Sequence, residues 1–284
     1  MISGTRYRLT AEINRQVSLG REIARTQIEI ATGKRIQAPS DDPTGAALVS
    51  ELARVQAQEA AWMRNLDVAG TLSDRSDNAL NAVAANIDRA NELMVAAAND
   101  TLSPENRATI ALELRAIAID IAALADSRDP RGGELFRTSA ALEIPVGGGN
   151  LAPVGSRAEV FGNIATAGGP LDLVAIINNA AAAIVEPDPA MRRTATDASL
   201  EALTKASEHV AAARADQGVR GNRIERLREQ LEESSIRLDE QKGTIEGVDL
   251  TEAIARLQSK QLSLQAAQAV LARVGQSSLF DLLR

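Results

Sequence analysis

The chain has 284 residues, 45% of them hydrophobic but only 2% aromatic, with a single Trp and a single Tyr. That is length enough for more than one domain, with Ala, Leu, Ile and Val left to fill the interior, which suits close-packed long helices better than a thick enzyme core. A net charge of -7, from 31 basic and 38 acidic residues, gives no electrostatic reason to bind nucleic acid, and the lack of cysteine excludes disulfides and thiolate metal sites.

No apolar run approaches the length of a membrane-spanning helix, so no membrane insertion is expected. At the amino end, Arg6, Arg8, Glu12 and Arg15 break up any apolar core of a cleaved secretory signal.

Residues 1 to about 37 read as one helix. Ile2, Leu9, Ile23 and Ile30 lie on a seven-residue grid interrupted at Gln16, and Ile13 sits four after Leu9. Pro39 to Pro43 stop this helix, and Asp42 is placed to cap the next, with Pro43 at its first position. The second helix carries Leu48, Leu52, Val55, Trp62 and Leu66 on one face, and its phase continues through Leu80, Val83, Ile87 and Met94. Gly70 and Ser73 are candidate bends. Ser103 and Pro104 start a third helix, in which Ile110, Leu114, Ile117, Ile121 and Leu124 form a stripe.

From Asp129 to Pro170, glycines punctuate short apolar pieces, and Glu134–Thr138, Leu142–Val146 and Arg157–Phe161 read as strands. This is a small β insert whose removal, over residues 140–168, is expected to leave the helical scaffold intact. Leu171 to Val185 reads as a short helix. A long helix follows Pro189. Leu203, Val210, Ile224, Leu231, Leu238 and Ile245 share one seven-residue grid that skips Gln217. Asp249 and Glu252 have capping-box spacing for a last helix with Leu250, Leu257, Leu264 and Leu271 seven apart and Ile254 four after the first.

The expected fold is mainly α: an elongated antiparallel bundle of long helices with terminal coiled-coil helices and a small β insert at the midpoint. Its expected parts are a terminal coiled-coil domain (1–42 with 248–284), a helical rod (43–130 with 171–247) and the insert (131–170). A narrow heptad stripe is stable only against another helix. The terminal stripes therefore pair with each other and with copies of the chain, through Leu9, Ile13, Ile23, Ile30, Leu250, Ile254, Leu257, Leu264 and Leu271. Left without a partner, these segments are expected to be largely disordered.

No catalytic, metal or cofactor site is expected. Adjacent Asp41 and Asp42 read as capping and turn residues. His209, the one histidine, lacks a visible partner for catalysis or zinc. Gly147-Gly148-Gly149-Asn150 lacks the Lys-Ser or Lys-Thr of a phosphate loop and reads as a hairpin turn. Arg220, Arg223, Arg226 and Arg228 are interleaved with glutamates, as on a face of mixed ion pairs.

Several motifs carry a resemblance. Thr32-Gly33-Lys34-Arg35 followed by Pro39-Ser40-Asp41-Asp42-Pro43 resembles the amino-terminal region of the bacterial flagellin superfamily. Asn99-Asp100-Thr101-Leu102-Ser103 with Arg107, and Gly132-Gly133-Glu134-Leu135-Phe136, are similar to its hook-associated members more than to filament subunits; Glu134 stands where an aromatic is often found. Gly221-Asn222-Arg223-Ile224-Glu225 and the end Ser277-Ser278-Leu279-Phe280-Asp281-Leu282-Leu283-Arg284 extend the likeness.

The resemblance implies a structural, non-enzymatic component of the flagellum that joins hook to filament and polymerises through its terminal helices. The other reading it leaves open is a flagellin, the filament subunit itself. It further implies export through the type III apparatus without a cleaved signal peptide, an extracellular place in the organelle, and a chaperone on the carboxyl-terminal helix. The implied partners are copies of the chain, a neighbouring hook-associated protein and flagellin. An unrelated coiled-coil binding module is the reading outside the family.

Overall fold

The computed structural model describes residues 2–99 and 102–281, with side chains for Tyr7 and for residues 10–99 and 102–273. Among the described residues there are seven helices and four short strands: α1 Ile2–Thr32, α2 Pro43–Ala97, α3 Pro104–Ala125, β1 Ile144–Val146, β2 Gly149–Leu151, α4 Arg157–Phe161, β3 Ile164–Thr166, β4 Gly169–Leu171, α5 Leu173–Ala183, α6 Pro189–Glu246 and α7 Leu250–Asp281. They divide into two compact units, residues 1–57 with 234–284, and residues 58–233.

The helix boundaries follow local chemistry. Gly33 has φ +69°, the left-handed conformation that ends α1 at no cost to a residue without Cβ. Asp42 Oδ1 accepts from the Gly45 amide at the start of α2, Ser103 Oγ from Asn106 at α3, and Asp172 Oδ1 from Ala175 at α5. Proline stands first in α2, α3 and α6, where no amide donor is needed. α2 runs its full 55 residues without interruption. Gly70 and Ser73, expected as a bend, are packing points instead: a Cβ at Gly70 would lie 3.5 Å from the Arg228 guanidinium, and Ser73 is buried against α6.

The core of the second unit is built from α2, α3, α5, α6 and the insert. Leu66, Leu80, Val83, Ile87 and Met94 of α2, Leu114 and Ile121 of α3, Ile176 and Ile177 of α5, and Leu203, Val210 and Ile224 of α6 are all essentially inaccessible to solvent. Gln217, the skipped position of the α6 grid, is buried with them. Its Nε2 donates to Ser73 Oγ at 2.9 Å and to the Pro153 carbonyl at 3.0 Å, and its Oε1 accepts from Ser76 Oγ at 3.1 Å. Every hydrogen-bonding atom of the amide is thus engaged, which is the condition for a polar group to sit in such a core.

The insert departs most from the sequence reading. It holds two separate hairpins, β1 with β2 and β3 with β4, each antiparallel. Gly147 and Gly148, at φ +52° and +90°, make the tight turn of the first. The expected strand at Arg157–Phe161 is a helical turn, α4, closed by a capping box in which Ser156 Oγ takes the Glu159 amide and the Glu159 carboxylate takes the Ser156 amide. The expected strand at Glu134–Thr138 is a turn in which Glu134 Oε2 accepts from both the amide and the hydroxyl of Thr138.

Phe136 packs edge-on against Phe161, centroids 5.0 Å apart. Nor is the insert a loose appendage. Ile144, Val146, Leu151, Val154, Val160, Phe161 and Ile164 are buried in the common core. His209 Nε2 is 3.1 Å from the Val160 carbonyl, so the histidine is a docking donor.

Candidate assembly interface

The first unit contains both chain ends, and its organising feature is the antiparallel packing of α1 on α7. Antiparallel order is set by the connectors. Lys34 bridges Gly247, the Arg35 amide donates to the Glu246 carbonyl at 2.6 Å, and the Val248 amide donates to the Gly33 carbonyl at 3.1 Å. The end of α1 is thereby tied beside the start of α7.

Along α1, Glu12, Gln16, Leu19, Ile23, Thr26 and Ile30 are screened from solvent and alternate by four and three, with Gly20 and Glu29 screened beside them. Along α7 they are Ala253, Leu257, Lys260, Leu264, Ala267 and Leu271, with the same alternation. These are a and d positions of two heptad helices facing each other. The ion pairs agree with one antiparallel register: Lys260 Nζ lies 3.1 Å from Glu22 Oε2, and Arg256 Nη2 lies 4.0 Å from Glu29 Oε2.

Glu29 is only 7% exposed and is held on its other oxygen by Arg25 at 3.3 Å. Arg25 in turn reaches Asp41 at 2.9 Å. One ionic chain therefore links α7, α1 and the α1–α2 connector.

The connector is ordered by its two aspartates. Asp41 Oδ2 accepts from the amides of Ala38 and Gln37. Those bonds, Ala38 first, hold its carboxyl below the ordinary value of 3.8, helped by Arg25. Asp42 is lowered first by the Gly45 amide and then by the Arg35 guanidinium, which also donates to the Ile245 carbonyl. A carboxyl whose folded pKa is depressed contributes in full above its unfolded value and loses that contribution as pH falls through the folded value. The clamp is therefore expected to be intact at neutral pH and to loosen as the pH drops below the ordinary 3.8. In an NMR titration the Gln37, Ala38 and Gly45 amide shifts should move together below that value. Static shifts would mean the bonds are absent.

Of the residues expected at a subunit interface, Leu257, Leu264, Leu271, Ile23 and Ile30 are half-buried on the facing stripes of α1 and α7. Ile13, Leu250 and Ile254 are exposed. The Leu9 side chain lies outside the described residues, as do those of the Ser277–Arg284 motif. The sequence reading passed over Glu22, Glu29, Arg256 and Lys260. The available signal was the one-heptad spacing of the two glutamates opposite two cations on a helix of fixed antiparallel register. It also took Gln16 as a mere interruption, whereas it sits on the seam with its Nε2 enclosed and without a hydrogen-bond partner among the described residues. Among the described residues no group of acidic or histidine side chains comes together to hold a metal ion, and no helix is long and apolar enough to cross a membrane.

Two terminal stretches that fold onto each other in this way have a counterpart among known proteins. Residues 10–141 match the bacterial flagellin N-terminal helical region, and residues 200–283 match the bacterial flagellin C-terminal helical region. The chain belongs to the bacterial flagellin family.

Flagellar hook-associated protein 3 of Escherichia coli strain K12 is 25% identical over 89% of this chain and 90% of its own length. A flagellin of Halalkalibacterium halodurans is 24% identical over 90% of each. In fold, the chain is similar to the flagellar hook-associated protein-3 of Legionella pneumophila, with a TM-score of 0.59 over 69% of this chain and 98% of that one at 12% identity. In this flagellin-family chain the α1 stripe lies in the first matched region and the α7 stripe in the second, while the hairpins, α4 and α5 fall between them.

Proposed function

We propose that this protein is a structural element of the bacterial flagellum that joins the hook to the filament, assembling through its terminal helices. The observation that carries the reading is the α1–α7 pair: an antiparallel heptad seam made from the two ends of the chain, inside the two flagellin-type terminal regions. The match to a flagellar hook-associated protein over nine-tenths of both lengths supports the junction over the bulk filament.

Its role is mechanical, with no catalytic step. Its partners are copies of itself, a neighbouring hook-associated protein and flagellin. It works outside the cell, exported without a cleaved signal peptide and held beforehand by an export chaperone on its carboxyl-terminal helix. The domain division proposed with this role is a terminal coiled-coil part (1–42 with 248–284), a helical rod (43–130 with 171–247) and an insert (131–170).

The second reading, a filament subunit, is supported by the flagellin similar over 90% of this chain. Electron microscopy of a strain lacking the gene separates the two. A junction role predicts hooks without filaments and flagellin shed into the medium, both reversed by restoring the gene. Normal filaments in that strain would overturn the junction reading, and purified protein that elongates alone without limit would replace it with flagellin.

A further inference from the structure

Beside the loop that leaves α3 lies an open-sided hollow of about 360 Å³ whose polar side chains can all donate hydrogen bonds. Arg75 and Asn78 of α2 and Ser127 and Arg128 of the loop stand around it, over a floor that includes Leu124 and Leu135. Among the described residues no carboxylate lines it. Its size is within the range of small-ligand sites, about 300–1,000 Å³.

The two arginines are braced by backbone and not by acid. Arg75 Nη1 donates to the Arg128 carbonyl at 3.2 Å, and Arg128 Nη1 donates to the Gly132 carbonyl at 2.7 Å. A guanidinium has five N–H groups, so most of each fork stays unspent. Neither arginine forms an ion pair among the described residues.

The surrounding carboxylates are committed elsewhere. Asp126 pairs with Arg157, and Asp129 Oδ1 accepts from the Arg131 and Gly133 amides. Glu134 Oε2 accepts from Thr138, and Asp77 Oδ2 accepts from Asn81. Asp74 stands one residue from Arg75, about 100° around α2. In a chain with 38 acidic against 31 basic residues, two cations gathered at one spot without an acid are an exception. The loop that carries them is fixed: the Leu135 amide donates to the Ser127 carbonyl at 2.9 Å, and the Asp129 amide to the Gly133 carbonyl at 2.8 Å. The donors are therefore in place before a ligand arrives, which lowers the cost of binding one.

We propose that this hollow binds an acidic peptide segment of a partner protein, a glutamate or aspartate flanked by an apolar side chain. The planar forks of Arg75 and Arg128 match a carboxylate. The floor, with Leu135 buried and Leu124 half-buried, takes the apolar flank, a contact that an inorganic ion cannot use. The open side leaves the rest of the ligand outside, as for a side chain projecting from a larger body. The site is complete within one chain and is independent of the assembly role proposed above.

The test is an NMR titration of the full-length chain, following the Arg75 and Arg128 side-chain Nε–H resonances. The probes are a capped leucyl-glutamyl-leucine peptide, the same peptide with glutamine in place of glutamate, and inorganic phosphate. The acidic peptide should move both resonances together, and the glutamine peptide should bind about tenfold more weakly or worse. Arg75→Gln should weaken the acidic peptide by a similar factor. Asn78 is exposed and makes no hydrogen bond among the described residues, so Asn78→Asp removes no contact. It places a carboxylate beside the two arginines and should abolish peptide binding with thermal unfolding unchanged or raised.

Equal binding of the two peptides would overturn the proposal, as would full binding by Asn78→Asp. Phosphate that matches the acidic peptide would reduce the hollow to a site for an adventitious ion only. A titration carried to the solubility limit of the acidic peptide that moves neither resonance would also overturn it.

Discussion

Replacing Leu257 and Leu264 together with aspartate should abolish assembly and leave the second unit folded. Both leucines are half-buried on the stripe of α7 that faces α1. A fully buried leucine contributes about 1.5–3 kcal/mol, so each half-buried one forfeits roughly 1 kcal/mol on removal. Each new carboxylate then faces a seam already lined by Glu22 and Glu29, whose cations are engaged, at a further cost of roughly 1–3 kcal/mol. The total is comparable with everything a single helix pair has to hold it, since isolated helices are marginal in water.

Neither residue belongs to the core cluster of residues 58–233. Circular dichroism should therefore lose no more helix than the 31 residues of α1 and the 32 of α7 contribute. Thermal unfolding of the remainder should be unchanged, and sedimentation should show no polymer. A double variant that still polymerises would mean that the α1–α7 seam is not the basis of assembly.

What was readable in the sequence, and what was not, follows from the range of the interactions involved. Helix starts were legible because the signals are local: Ser103-Pro104 and Asp42-Pro43 each combine a side-chain acceptor with a residue that needs no donor. The buried stripe of α6 was legible because Leu203, Val210 and Ile224 repeat at heptad spacing. Periodicity, however, reports that a face is covered and is silent about what covers it. The spacing of the α7 leucines therefore left two partners open, the other end of the chain and a second copy, and Leu257, Leu264 and Leu271 lie on the stripe that meets α1 of the same chain.

Gln217 was invisible for a related reason. It looks like a gap in an apolar grid until Ser73, Ser76 and Pro153, distant in sequence, are brought around it. The helical turn at Arg157–Phe161 was legible and misread: Ser156 and Glu159 have capping-box spacing, but the short apolar piece between glycines suggested a strand.

Excising residues 140–168 should unfold the second unit, against the expectation drawn from glycine content alone. That expectation treated the segment as a loop excursion beyond a self-sufficient scaffold. Seven of its apolar side chains, Ile144, Val146, Leu151, Val154, Val160, Phe161 and Ile164, instead lie in the same continuous core as α2, α3, α5 and α6. At about 1.5–3 kcal/mol for each fully buried side chain, their loss removes roughly 10–20 kcal/mol, as much as the whole net stability of about 5–15 kcal/mol of an ordinary domain.

The deletion also strips acceptors from groups that stay behind. Gln217 loses the Pro153 carbonyl, Arg220 the Ala152 carbonyl, Asn65 the Pro145 carbonyl and His209 the Val160 carbonyl. A buried donor left without its acceptor costs about 1–3 kcal/mol, a term that falls most heavily on fully enclosed Gln217. The shortened chain should accordingly show a large loss of helical signal by circular dichroism and no cooperative melt from residues 58–233. A shortened chain that melts like the parent would mean that the helices need only each other and that the insert merely rests on them.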